Sequence, residues 1–154
     1  IEKSGINLAA IYRPLNNFFL NFIIEKIRRK YICKKQIKKG RMSVRQLLSL
    51  FKQKYSIALM IDQRVTEGIR SDFFGQKALT TTIPAQFVKK FNCRVVPIYI
   101  ERKNGIKFKI VINKPIHFSK EESITSITDN LNKWLEGKVL QNPEQWIWSH
   151  DRWK

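Results

Sequence analysis

Residues 6–12 (INLAAIY) form a short apolar run that stops at Arg13-Pro14. Proline forbids further ladder pairing, so the pattern predicts a buried strand. From Leu15 to about Tyr31 the spacing is helical but apolar nearly all round, with Phe18, Phe19, Leu20, Phe22, Ile23, Ile24 and Ile27. Such a helix is either buried or rests on lipid, and the basic residues at its carboxyl end suit the helix dipole. A basic connector then runs to Arg41. Ser43 and Gln46 have capping-box spacing and open a predicted helix whose Val44, Leu47, Leu48 and Phe51 share one face.

Residues 56–61 (SIALMI) read as a buried strand, followed by a long polar loop containing Gly68 and Gly75. Pro84 sits at the start of a helix predicted to reach about Phe91, where its missing N–H would be unpaired in any case. Residues 94–101 and 106–113 alternate as strands and are joined through Asn104-Gly105, a strong hairpin signal. Ser119 and Glu122 make a second capping box, after which Ile124, Ile127, Leu131, Trp134 and Leu135 keep helical spacing. A last short helix opens at Pro143. The alternation of strands and helices makes this an α/β chain.

Composition changes the picture mainly through charge. The 154 residues carry a formal net charge of +18, which predicts anionic partners: nucleic acid, lipid head groups, phosphorylated glycolipids or an acidic protein. The excess is clustered, because residues 25–54 hold twelve Lys or Arg and the single acid Glu25. Cys33 and Cys93 stand far apart in neither metal-ligand nor redox spacing and read as ordinary thiols. No apolar run approaches the roughly 18 residues of a membrane span. The chain opens on Ile1 as if approaching a strand, so it reads as a piece of a longer protein, all of it within one domain.

Two apparent motifs dissolve on inspection. His117 and Glu122 fit His-x-x-x-x-Glu, but Glu122 is the natural partner of a Ser119 cap, and the pair lies among charged residues beyond a strand. His150 has no Ser or Cys nucleophile arranged beside it. Glu101-Arg102-Lys103, with Asp62 upstream, resembles a metal-dependent nuclease arrangement. It directly precedes the Asn104-Gly105 turn, however, where such residues ordinarily solvate a hairpin end. A basic nucleic-acid-binding or nuclease domain remains the alternative from a different class, and an inactive remnant of a degraded gene is a third reading.

A stronger constellation begins at the end of the strand 56–61: Asp62-Gln63-Arg64, Glu67-Gly68, Phe73-Phe74-Gly75, Ala78 and Thr80-Thr81. Strand ends are the usual site in an α/β sheet, and the glycines allow backbone to approach a ligand. Ile11-Tyr12-Arg13-Pro14-Leu15-Asn16-Asn17 resembles the Tyr-Arg-Pro-x-Asn-Asn signature of the late acyltransferases of lipid A synthesis, the lauroyl and myristoyl transferases. Asp62 to Arg64, Phe73-Phe74-Gly75 with Thr80-Thr81, Val95-Val96-Pro97, and Pro143-Glu144-Gln145-Trp146-Ile147-Trp148 with His150 and Arg152-Trp153-Lys154 are similar to the same family. The matches keep family order and span nearly the whole chain.

The resemblance implies a glycerol-phosphate-acyltransferase-like domain, a mostly parallel mixed sheet flanked by helices, of which residues 1–154 are the C-terminal part. It implies transfer of a fatty acyl group from acyl carrier protein to a hydroxyl of a lipid A precursor, at the cytoplasmic face of the inner membrane. In that family a His-x-x-x-x-Asp/Glu pair, base and orienting acid, precedes the Tyr-Arg-Pro strand. It is expected upstream of Ile1, which leaves no catalytic residue within these 154 and no activity for them alone. Substrate-binding roles fall to Arg13, Asp62, Gln63, Arg64, Phe74 and Gly75. Arg13 would bind acceptor phosphate or an oxyanion, and Asp62 and Gln63 would approach the missing histidine. Acyl carrier protein, the lipid A precursor and an anionic membrane surface are the expected partners. Nucleic acid, metal and cofactor are not expected.

Overall fold

The computed structural model describes residues 5–40 and 42–154. Arg41, where the basic connector ends, lies outside the described residues, as do residues 1–4. The chain divides into two compact units, one up to Met60 and the other from Ile61 to Lys154.

The first unit is a β-α-β-α-β arrangement. Strand β1 (Leu8–Tyr12) lies between β2 (Lys35–Lys38) and β3 (Ser56–Ala58), and both pairings are parallel, with Ala9 opposite Lys35 on one side and Ile57 on the other. Parallel neighbours require crossovers, and helices α1 (Phe18–Tyr31) and α2 (Ser43–Lys52) supply them. Leu8, Ala9, Cys33, Ile37 and Leu47 form the buried core. Helix α1 adds no buried residue to it.

Local chemistry corrects two expected boundaries. Helix α1 starts at Phe18 rather than Leu15, because Asn17 is extended and its side chain accepts a hydrogen bond from the Leu20 N–H at 3.1 Å. Helix α2 has no capping box. Met42 precedes it, and the Ser43 hydroxyl donates to the Gly40 carbonyl at 2.6 Å instead of accepting from the helix.

The second unit contains the antiparallel hairpin β4 (Ile69–Phe73) with β5 (Gln76–Thr80), helix α3 (Ile83–Phe91), the hairpin β6 (Ile98–Arg102) with β7 (Phe108–Ile112), and the long helix α4 (Ile124–Gln141). Parallel pairing is thus confined to the first unit and antiparallel pairing to the second. The β4–β5 hairpin occupies what the sequence pattern leaves as a polar loop. Its two-residue turn puts both Phe74 (φ 53) and Gly75 (φ 72) in the left-handed region, the backbone a tight hairpin needs. Helix α4 is capped by Ser123, whose side chain accepts from the Ser126 N–H at 3.0 Å. Ser119 and Glu122 close a separate turn before it, with the Ser119 N–H donating to Glu122 at 2.8 Å.

Helix α4 organises two apolar clusters. Ile127 and Leu131 pack with Ala85, Val88 and Phe118, while Leu135 and Val139 pack with Phe73 and Ala78. Beyond Asn142 a single 3-10 turn (Pro143–Gln145) leads into the C-terminal tail. There the Gln145 amide meets the backbone of Arg102, accepting from its N–H at 2.8 Å and donating to its C=O at 3.0 Å.

Candidate functional site

The site is built around Phe73, the last residue of β4 and fully buried. Its ring lies 4.8 Å from that of Phe74, 5.8 Å from Trp146 and 5.7 Å from Trp153, centroid to centroid, and the Arg152 guanidinium lies 5.5 Å over it. The Trp153 indole N–H donates to the Phe73 carbonyl at 3.0 Å. The C-terminal tail therefore closes over the β4–β5 hairpin.

Arg152 holds that closure. It has no solvent exposure, and it donates to the Leu79 carbonyl at 2.6 Å and to the Thr80 hydroxyl at 2.8 Å. A buried arginine survives only with partners that replace water. Thr80 also receives a hydrogen bond from Asn132 of α4 at 3.1 Å, and the same Asn132 amide reaches the Ser71 hydroxyl at 2.8 Å and the Asp72 carbonyl at 3.0 Å. Ser71 donates on to Asp129 at 2.5 Å. One polar network thus ties β4, β5, α4 and the tail together.

Asp62 faces this network. It is half-buried, and its Oδ1 is a buried acceptor with no hydrogen-bond partner. Desolvation raises its pKa above the ordinary value of 3.8, opposed by a hydrogen bond from its own backbone N–H and then by the charges of Arg152 and His150. Arg152 responds in kind: burial lowers its pKa, and Asp62 opposes the shift. The Arg152 Nε is likewise buried and without a partner. A buried acceptor and a buried donor, both unsatisfied, on two groups that feel each other's charge carry a desolvation cost that the fold has to offset. Arg64 completes the cluster: its N–H donates to His150 Nε2 at 3.3 Å and its Nε to the Lys154 carbonyl at 2.5 Å.

The proposed substrate-binding residues separate into groups. Asp62 and Arg64 join one cluster with His150 and Arg152, whereas Gln63 beside them is exposed. Phe74 and Gly75 form the hairpin turn, where the Phe74 N–H donates to Glu136 at 2.5 Å. Arg13 is exposed in the first unit, directly after the carboxyl end of the central strand β1. Gly68 serves the fold: a Cβ there would stand 2.1 Å from the Thr80 carbonyl oxygen.

Sequence reasoning missed Arg152, Thr80 and Asn132 as one hydrogen-bonded hub. The run Thr80-Thr81 followed by an isolated C-terminal arginine was visible, but nothing local reveals that residues 72 positions apart bond.

Of the dismissed candidates, His150 joins this cluster through the Arg64 N–H, whereas the other two motifs are engaged elsewhere. His117 lies with Arg94, Lys114 and Pro115 on an open cavity of about 400 Å³. Glu122 is engaged by Ser119. Glu101 pairs with Lys103 at 2.6 Å in a hairpin-end ion pair, and the described residues contain no group of three His, Cys, Asp or Glu able to hold a metal. A second open cavity, about 510 Å³, is lined by Gln36, Lys38, Lys39, Gly40, Met42, Ser43 and Gln46 in the first unit.

The chain is thus of the α/β class, with a buried polar cluster around Asp62, Arg64 and Arg152 in its second unit. Residues 1–154 match the family described as bacterial lipid A biosynthesis acyltransferase, and the chain belongs to that family. No curated protein matches it.

Proposed function

We infer that this chain forms the acceptor-binding part of an enzyme that moves a fatty acyl group from acyl carrier protein to a hydroxyl of a lipid A precursor. The observation that carries the reading is the pair of unsatisfied buried atoms, Asp62 Oδ1 and Arg152 Nε. Unsatisfied buried polar atoms are few in a folded protein, and a functional role is one of the reasons they persist. A carboxylate whose pKa is raised by burial and opposed by a cation is the kind of perturbed group that marks functional sites.

The general base is a histidine with an acidic partner, supplied from outside these 154 residues ahead of the Tyr12-Arg13-Pro14 segment. Neither His117 nor His150 replaces it: His117 lies among cations and a proline, and the His150 Nε2 accepts from the Arg64 N–H. Arg13, exposed after β1, offers a fork of donors for acceptor phosphate or for the oxyanion of the transition state. Reaction at the cytoplasmic face of the inner membrane agrees with the clustered cations of the first unit, which suit anionic lipid, phosphorylated acceptor and acidic carrier protein alike.

The test is transfer of labelled acyl group from acyl carrier protein to detergent-dispersed lipid A precursor. A form carrying the upstream histidine motif should turn over, and the 154-residue chain alone should not, since a positioned base commonly supplies about 10² to 10⁴-fold. In the active form Arg13→Ala and Asp62→Ala should each cut turnover by about 10²-fold, the scale of removing one transition-state donor or positioned acid–base group. Near-normal rates in both variants, or transfer by the short chain that His117→Ala abolishes, would overturn the assignment.

A further inference from the structure

Helix α1 is oriented inside out. Its polar residues face its own domain: the Tyr12 hydroxyl donates to Glu25, the Asn21 amide donates to Glu25 at 2.9 Å, Lys38 pairs with Glu25 at 3.1 Å, and the Arg28 guanidinium sits 4.9 Å over the Tyr12 ring. Its apolar residues face outward. Phe18 is 79% exposed, Phe19 80% and Phe22 67%, with Leu20, Ile23 and Ile27 also exposed. Partial burial of a polar stripe and exposure of an aromatic one reverses the usual arrangement of a globular helix.

The outward face is also divided along its length. The first six residues, Phe18 to Ile23, contain no charge, whereas Lys26, Arg29 and Lys30 lie exposed toward the carboxyl end. Cations continue through Lys34, Lys35, Lys38 and Lys39, and no acid occurs between Glu25 and Asp62. At 14 residues the helix is about 21 Å long, too short to cross a bilayer, and no helix among the described residues is long and apolar enough to do so.

We propose that α1 is a docking element for anionic bilayers that enters obliquely, with Phe18, Phe19, Phe22 and Ile23 in the acyl boundary and Lys26, Arg29 and Lys30 held at the phosphate level. An apolar segment beside a cationic one is the combination that places a helix in a membrane interface. The occupant must be anionic because the carboxyl end of the exposed face is cationic and bears no exposed acid, and it must be fluid and apolar because the exposed rings form a loose cluster, with Phe18 and Phe19 edge to face at 5.9 Å, rather than a shaped groove. The inference shares its membrane setting with the proposed function and adds the element, its orientation and its lipid preference.

Vesicle co-sedimentation of the 154-residue chain, at about 150 mM salt so that screening is physiological, tests it. The chain should pellet with phosphatidylethanolamine–phosphatidylglycerol vesicles and little with phosphatidylcholine. Phe18→Glu/Phe22→Glu should weaken partition by about ten-fold or more, as should Lys26→Glu/Arg29→Glu/Lys30→Glu. All five side chains are exposed, and unchanged circular dichroism would verify folding. Added tryptophan emission in Phe19→Trp, above that of the parent chain, should be quenched by lipids brominated in the acyl chains, whereas that of Lys30→Trp should not. Failure of the chain to pellet, pelleting indifferent to the Phe18/Phe22 pair, equal quenching at both positions, or a dimer that the same pair dissolves without vesicle uptake would each overturn the proposal. Acyl transfer to detergent-dispersed acceptor is read separately. Its survival in the Phe18/Phe22 variant with partition lost supports the docking role, and its absence in the active form with partition intact faults only the catalytic reading.

Discussion

The Arg152 guanidinium donates to the Thr80 hydroxyl at 2.8 Å across 72 residues of sequence. Both partners are buried, and the bond fastens the last residues of the chain to the end of β5, directly before helix α3. Most resemblance-bearing segments of the second unit meet here: Asp62, Phe73-Phe74-Gly75, Thr80 and the tail lie together, whereas Val95 of Val95-Val96-Pro97 packs on the other apolar cluster.

Arg152→Ala should therefore destabilise the second unit by about 3 to 5 kcal/mol, because it removes a buried cation and strands the groups it served. Arg152→Lys should recover little of this, since one ammonium cannot reproduce a planar fork that reaches both the Leu79 carbonyl and Thr80. Urea midpoints followed by tryptophan fluorescence measure both, and Trp146 and Trp153 on Phe73 should report the loosening directly. A midpoint unchanged in Arg152→Ala would contradict the clasp.

Gly68→Ala should be as damaging as a core mutation although only one methyl is added. Its Cβ would meet backbone, the Thr80 oxygen at 2.1 Å and carbonyl carbon at 2.6 Å, so no side-chain rotation relieves the clash. A loss of about 3 kcal/mol, at the upper end for overpacking, is expected in thermal or urea unfolding. Gly137→Ala, where a Cβ meets nothing within 4 Å, serves as the contrast and should stabilise helix α4 by up to about 1 kcal/mol.

Asp62 sets a pH dependence of definite sign. Its pKa is raised in the folded state by burial, above the ordinary 3.8, so the native state holds this proton more tightly than the unfolded chain does. The contribution to stability is full below 3.8 and is lost as pH rises through the folded value. Asp62→Asn should flatten that part of the stability profile and should be no less stable than the parent at neutral pH. Its turnover in the active form should fall all the same. A variant that loses stability at neutral pH would reverse the assignment.

Glu25 and Tyr12 give the first unit two opposite limbs. Hydrogen bonds from Tyr12 first, then Asn21 and Lys38, lower Glu25 from 4.5 to about 2. Its support is present above 4.5 and disappears as pH falls toward 2. Desolvation, and then the bond to Glu25, pushes Tyr12 from 10.0 up to about 12, so its support is present below 10 and disappears as pH climbs toward 12. Absorbance near the tyrosinate band should show one tyrosine of the parent titrating late, and Tyr12→Phe should abolish it while softening the acid limb. Retention of the late phase in Tyr12→Phe would place it on another residue.

How much could be read from sequence depended on whether burial followed hydrophobicity. Strand β1, helix α3 and the apolar face of α4 obey that rule, and their positions were legible to within a few residues; the β6–β7 hairpin breaks it, with its apolar residues outward, and was legible from its Asn104-Gly105 turn instead. Strand β2 does not: three of its four residues are Lys or Gln, and only Ile37 is buried, so a basic run concealed it. The β4–β5 hairpin hid for a related reason. Its inward positions include Ser71 and Thr80, which are buried by bonding Asn132 rather than by being apolar. The period-two alternation of Arg70 and Asp72 against Ser71 and Phe73, with Phe74-Gly75 as a two-residue turn, was the signal available. Of the site, Asp62 and Arg64 were legible as an acid and a guanidinium beyond a strand. Arg152 was legible only as part of a family pattern, because arginine is among the residues least often fully buried and its partners lie far away in sequence.

The Gln145 amide on the Arg102 backbone has a consequence for how the chain behaves in company. Hairpin β6–β7 presents Ile98, Ile100, Phe108, Ile110 and Ile112 to the outside, the make-up of a strand pair that invites further strands. Recruitment requires vacant N–H and C=O groups along an edge. At Arg102 both are already taken by a side chain that imitates one rung of a ladder. An incoming strand must evict Gln145 before it can zip inward from that end, so the tail that closes the site also guards the hairpin against templated aggregation.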